Sequence, residues 1–154
     1  MGNLGGSQSI EVDAPIMACW ALAADVARAP EWQQGLDGME VLDRGADGRP
    51  ARCESTSNTK VRKIKTILRF AYEEPTRVSW TQEKGDLKTL SGAWELEDLG
   101  GDRTQVTYRL DADPGRVLGM LLRGPVEGRL REVMVDGRPA EFKARVKESR
   151  APSG

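Results

Sequence analysis

The sequence predicts an α+β fold in which a curved antiparallel sheet with one apolar face closes against a carboxy-terminal helix. Three observations point there. From Val78 to Leu110 the large side chains fall on alternate positions. Val78 and Trp80, then Leu90, Trp94 and Leu96, then Val106, Tyr108 and Leu110 project to one face, while Ser79, Ala93, Glu95, Glu97, Thr107 and Arg109 take the other. Six strand-like segments follow one another, separated by turn residues, with no linker or internal repeat between them. After Asp113-Pro114 the apolar spacing changes from two to three and four, so a helix follows the sheet and is available to cover its apolar side.

Each element has its own local signal. Residues 1–6 and 149–154 are too poor in apolar side chains to offset the entropy of ordering, and are expected to be flexible tails on a single domain spanning 7–148. Ser9 to Asp13 alternates as a strand with Ile10 and Val12 inward. Asp13 is expected to cap a helix whose early Pro15 has a preset φ, with Ile16, Cys19, Trp20, Ala23 and Val26 as its inward stripe. Pro30 ends that helix, and Glu31 to Gly35 reads as a second short helix closed by glycine. From Met39 the period returns to two, and Ala46-Asp-Gly48 marks a hairpin before Ala51 to Thr59. Residues 61–73 form the next strand, with Ile64, Thr66, Leu68, Phe70 and Tyr72 on one side. Pro75 closes it, Thr76 to Lys84 returns, Gly85-Asp86 turns again, and Gly100-Gly101 separates the last two strands.

The helical pattern then runs through Val117, Leu118, Leu121 and Leu122, through Val126, Leu130, Val133 and Met134, and on to Phe142 and Val146. Pro125, Gly128 and Gly137-Arg-Pro139 interrupt it. Pro139 cannot bond the carbonyl of Val135 and clashes with it, at a cost of about 3 kcal/mol, so the helix is expected to kink or break there and to shape one wall of a cavity.

Composition narrows the function classes. A chain of 154 residues suits one domain, and it has no apolar run near the length of a bilayer span. With 23 basic and 24 acidic residues, the net charge of −1 sets up no global field for nucleic acid or an anionic membrane. MGNLGGSQS has neither the charged nor the apolar region of a secretory signal, so a cytoplasmic location is expected. The two cysteines lack CxxC spacing and the chain has no histidine, so neither a metal site nor a cofactor is expected. Cys19 and Cys53 read as small buried hydrophobes, with Cys53 the better placed to face a cavity.

The order strand, two helices, six strands, long helix, together with the strings IEVDAP, VSW, EKGDL, SGAWEL and TQVTYRL, resembles the START-like or helix-grip (SRPBCC) superfamily. Its branch of polyketide cyclase/dehydrase and lipid transport proteins is the most similar, from about Ser9 to Lys147. The resemblance implies a Bet v 1-like arrangement: a seven-stranded antiparallel sheet wrapped around the terminal helix, two short helices closing one end, and an apolar cavity for lipids, polyketides, plant hormones or quinones. One departure stands out, since Gly137-Arg-Pro139 falls where the family's terminal helix is normally continuous. No catalytic set of the family's cyclases matches, so the catalytic residues stay unknown.

Candidate ligand contacts follow from the inner face. Trp80 and Trp94 lie mid-strand, with Leu68, Phe70, Leu90 and Tyr108 around them, and Met120 and Met134 come from the terminal helix. Trp20 reads as plain core. Trp32, at the cavity mouth by the resemblance, would act as a lid whose indole N–H gives a ligand one directional contact. If Cys53, Ser55 and Ser57 share the inner face, the two serine hydroxyls lie near Thr66 and Tyr72 and could bind a ligand carbonyl or phenol. Without histidine, general acid–base work near neutral pH would fall to a strongly shifted carboxylate, lysine, tyrosine or cysteine, and Tyr72 and Tyr108 are the foremost proton donors. The basic residues Lys60, Arg62, Lys63, Lys65 and Arg69 read as a solvated convex side, and Arg129, Arg131, Arg138, Lys143, Arg145 and Lys147 as the exposed side of the terminal helix.

Three functions compete on this reading. The first is a binder or carrier of a hydrophobic small molecule, such as a lipid, quinone or aromatic polyketide. The second is a polyketide cyclase or dehydratase using the same cavity, and the third an interaction module whose cavity has collapsed. The expected partner is the hydrophobic ligand, with no nucleic acid and no integral membrane association, in a monomer or homodimer.

Overall fold

A computed structural model describes residues 4–150 of the chain. Seven strands form a single antiparallel sheet in the order β1-β7-β6-β5-β4-β3-β2, where β1 is Leu4–Val12, β2 Leu36–Arg44, β3 Pro50–Asn58, β4 Lys63–Glu73, β5 Arg77–Gly85, β6 Thr89–Gly100 and β7 Arg103–Asp113. Strands two to seven are consecutive hairpins, as their turn residues demand, and β1 closes the series by pairing with β7. That return brings the chain start beside the strand that leads into the terminal helices.

The inner face follows the period of two. Val78, Trp80, Trp94, Leu96, Val106 and Tyr108 are all buried, and Leu90 and Leu110 are half-buried. In register, Trp80 lies opposite Gly92, and a Cβ on that glycine would sit 2.5 Å from the indole. The glycine of SGAWEL therefore gives the Trp80 ring room to lie flat across the next strand.

The first helical region departs from the sequence reading. Helix α1 runs Ile16–Ala24 with Pro15, not Asp13, at its cap position, and no side chain bonds its first N–H groups. A 3₁₀ turn over Val26–Glu31 then carries Pro30 within it, and Trp32 follows as its terminal residue rather than starting a helix of its own. A 3₁₀ turn this short loses a single bond to the proline, which explains why Pro30 does not end it. Leu4 to Gly6, expected in a flexible tail, instead pair with Leu110 to Ala112 in β7, and Ser149 and Arg150 belong to the last helix. The remaining tail residues, 1–3 and 151–154, lie outside the described residues.

The carboxy-terminal region is a broken rod. It comprises α2 (Gly115–Leu121), α3 (Pro125–Arg131), a π turn (Glu132–Asp136) and α4 (Arg138–Arg150). The break falls where Pro139 requires it: Gly137 N–H reaches back five residues to the Glu132 carbonyl at 2.8 Å, and the proline takes the second position of the new helix. Phe142 and Val146 of α4 are buried in the main core, which also holds Trp20, Trp94 and Val106. Leu118, Leu122, Leu130 and Met134 form a second, smaller apolar cluster with Ile64.

Candidate functional site

A cavity of about 150 Å³ lies between the concave face and the terminal helices. Its walls draw on both apolar clusters: Trp32, Leu68, Phe70, Trp80, Trp94 and Tyr108 from the main core, and Ile64, Leu122, Leu130 and Met134 from the smaller one. The cavity is thus the seam where two cores fail to close on each other.

Aromatic rings make one side of that seam. Trp94 packs against Tyr108 and Phe142 with ring centres 4.5 and 4.7 Å apart, and Trp32 closes over Trp94 and Phe142 at 5.9 and 5.7 Å. Phe70 and Trp80 continue the wall at 6.1 Å. One of these contacts is edge-to-face and the others are tilted, all within the roughly 4.5–7 Å range of favourable aromatic pairs, so the rings hold one another in place.

Of the residues singled out from the sequence, Trp32, Ser55, Ser57, Leu68, Phe70, Trp80, Leu90, Trp94, Tyr108 and Met134 line this cavity. Three others lie elsewhere. Met120 is 61% exposed, because the seven-residue α2 turns Leu118 and Leu122 inward and leaves Val117, Met120 and Leu121 outside. Tyr72 donates its hydroxyl to the Pro50 carbonyl at 2.6 Å, under the Arg49 guanidinium that also stacks on Trp20. Cys53 is fully buried in the main core beside them. Burial pushes the Cys53 thiol up to about 11 and raises the Tyr72 phenol too, so both stay protonated near neutral pH.

The polar lining comprises Asp25, Gln33, Ser55, Ser57, Thr59, Thr66, Tyr108 and Arg138. Ser55 and Thr66 face each other across β3 and β4 and share a buried hydrogen bond of 2.7 Å, so each hydroxyl already has a partner. Tyr108 is buried, and desolvation raises its phenol while Arg138 pulls the other way.

Arg138 is the residue the sequence reading put on the wrong side. Assigned to the exposed face of the terminal helix, it is 3% exposed and lines the cavity. The signal was present: Leu130, Met134, Arg138, Phe142 and Val146 recur at intervals of four, with Arg138 the lone charge in an apolar stripe. A spacing of four overshoots an α-helical turn by about 40° per step, and the wider π turn absorbs part of that drift, so Arg138 faces inward with its neighbours. One terminal nitrogen of the guanidinium donates to the Gln34 carbonyl at 2.7 Å and to the Glu141 carboxylate at 2.8 Å. Glu141 in turn accepts the Gln34 N–H at 2.8 Å, a two-way clasp between α4 and the loop after Trp32. Arg138 Nε and the Trp32 indole N–H are buried and have no acceptor. A buried donor left unpaired costs about 1–3 kcal/mol, which makes both groups conspicuous in an otherwise apolar space.

Asp25 also lines the cavity, and the remaining charged side chains of the described residues are half-buried or exposed. Arg52 and Arg69 both bind Glu83, at 2.8 and 2.7 Å, which holds that carboxyl below its usual range. Among the described residues no helix is long and apolar enough to cross a membrane.

Comparison with known proteins bears on the whole architecture. The family model described as polyketide cyclase / dehydrase and lipid transport matches residues 12–137. A START superfamily protein from Mycobacterium smegmatis superposes with a TM-score of 0.79 at 20% identity, covering 94% of this chain and 98% of that one. The Zhui aromatase/cyclase from Streptomyces sp. R1128 does so with a TM-score of 0.78 at 16% identity, covering 99% of each chain. A conserved protein from Geobacillus kaustophilus gives 0.72 at 16% identity, covering 95% and 97%. No curated protein matches the sequence. At these identities the likeness is one of fold.

Proposed function

Because the chain belongs to the polyketide cyclase/dehydrase and lipid transport family, we propose that it binds a hydrophobic small molecule in the cavity between the sheet and the carboxy-terminal helices. The observation that carries this is the cavity itself: about 150 Å³, walled by indole, phenyl and aliphatic groups from both apolar clusters. An apolar cavity of roughly this size in another protein takes up benzene, and enclosed sites with a few placed polar groups are the usual form of a small-molecule site.

Binding is also favoured over catalysis by the tyrosines and cysteines at hand. Tyr108 lines the cavity with its phenol raised, Cys53 and Tyr72 lie behind the wall with theirs raised, and the chain has no histidine. None is poised to give and take a proton near neutral pH, as a cyclase or dehydratase with general acid–base steps requires. Native mass spectrometry of the purified protein, followed by extraction, tests the reading. A defined bound mass, or saturable uptake of an apolar fluorescent probe, is expected; an empty protein that takes up no apolar probe would overturn it.

A further inference from the structure

Arg138 is an odd occupant for a site built of indoles and leucines. Its terminal nitrogens are engaged by Gln34, Glu141 and, at 3.4 Å, the Met134 thioether, a weak acceptor, and the Tyr108 hydroxyl lies against the same guanidinium. Nε has nothing. Trp32, held over Phe142 one helical turn beyond Arg138, lines the same cavity and presents a second buried N–H with no acceptor. Ser55 and Thr66 already satisfy one another. Two buried N–H donors of the lining, Arg138 Nε and the Trp32 indole, are thus left without an acceptor.

Resting on the binding role proposed above, we infer that the ligand carries a carbonyl oxygen on its apolar body, and that Arg138, with the Trp32 indole as second donor, hydrogen-bonds that oxygen. A neutral oxygen suits the site better than a carboxylate. Glu141 lies 2.8 Å from the guanidinium and already balances its charge, so a second anion would meet that carboxylate as well as the arginine. A bond from a charged donor to a neutral acceptor is still stronger than one between neutral groups, and here water does not compete for it.

The test uses three single-ring probes of similar size: acetophenone, ethylbenzene and benzoate. Their affinities are measured by calorimetry for the wild-type chain and for Arg138→Met and Trp32→Phe. In a purely apolar cavity the hydrocarbon would bind roughly tenfold more tightly than the ketone, because the ketone gives up more hydration. The expected result is that the wild-type protein binds acetophenone at least as tightly as ethylbenzene. Arg138→Met should then reverse the order by about tenfold, and Trp32→Phe, which keeps the ring, should shift it by about threefold. If Arg138 serves only to clasp Gln34, its replacement lowers stability and leaves the ketone-to-hydrocarbon ratio unchanged, which overturns the inference. Should Arg138→Met fail to fold, the ratio in Trp32→Phe decides alone. Ethylbenzene binding with a tenfold preference in the wild-type protein defeats the carbonyl assignment and spares the cavity. Benzoate bound more than tenfold tighter than acetophenone also defeats it, in favour of an anion. No binding of any probe removes the cavity reading together with this one.

Discussion

The two apolar clusters that meet at the cavity are built differently. The main core joins all the central strands to α1 and α4 through interlocked rings, with Phe142, Val78 and Val106 wholly buried. The smaller cluster rests on Ile64 and four aliphatic side chains from short helical segments, and its α2 leaves Val117, Met120 and Leu121 exposed. Rings packed on rings define a fixed wall; aliphatic chains on short helical segments define a softer one. Under the proposed binding role, the difference points to the side by which a guest would enter: the aromatic wall is held by its own packing, and the aliphatic side is the one able to give way.

The comparison is sharpest in stability. Phe142→Ala, in the main core, should lower unfolding free energy by about 3–5 kcal/mol, whereas Leu122→Ala, beside the cavity, should cost about 2 kcal/mol. Urea titrations of both variants check this, and equal losses would erase the distinction between the two cores. Next in size is the effect on uptake. Trp94→Ala removes the ring that joins Tyr108, Phe142 and Trp32 and should weaken binding of an apolar fluorescent probe by about tenfold, while Trp20→Ala, buried away from the lining, should change it by less than about threefold. Both variants must first be shown to fold, and a matched loss would break the wall assignment.

A finer probe is Gly92→Ala. The added methyl would sit 2.5 Å from the Trp80 indole, so the ring must shift, and probe affinity should change by about twofold to fivefold without loss of the sheet. The smallest effect is one of pH. Folding raises the Cys53 thiol from an ordinary value of 9.0 to about 11 by burying it, so the unfolded chain loses this proton first. The associated stability is present below about pH 9 and is lost as pH rises towards about 11. The slope of stability against pH in that window should flatten in Cys53→Ala; an unchanged slope would place the thiol outside the packed core.

Much of this was legible because it is local. Hairpin turns at Gly48, Gly85 and Gly100-Gly101 and the alternation from Val78 to Leu110 fix both the strand succession and the face that turns inward. The eight strand residues read as cavity contacts, Ser55 to Tyr108, line the cavity for the same reason. The misplaced ones fail in distinct ways. Met120 belongs to a run in which Val117, Leu118, Leu121 and Leu122 are all apolar, so spacing alone does not say which face is buried. Tyr72 lies on the correct side of β4 but at its far end, where the Pro50 carbonyl takes its hydroxyl. Cys53 is on the inward side of β3 but is packed into the main core. Trp32 does reach the cavity, positioned by rings from β6 and α4 and not by a helix of its own.

By itself the sequence determined a curved antiparallel sheet with one apolar face and an interrupted helix after it, because strand period, turn residues and Pro139 act within a few positions of each other along the chain. Only the tertiary structure decided that Arg138 faces the cavity. A π turn rotates the helix beneath it, and Gln34, 104 residues away, supplies the carbonyl that a buried guanidinium needs. Direction along a strand is a property of neighbours in the chain, whereas the burial of a charge depends on what distant segments bring to meet it.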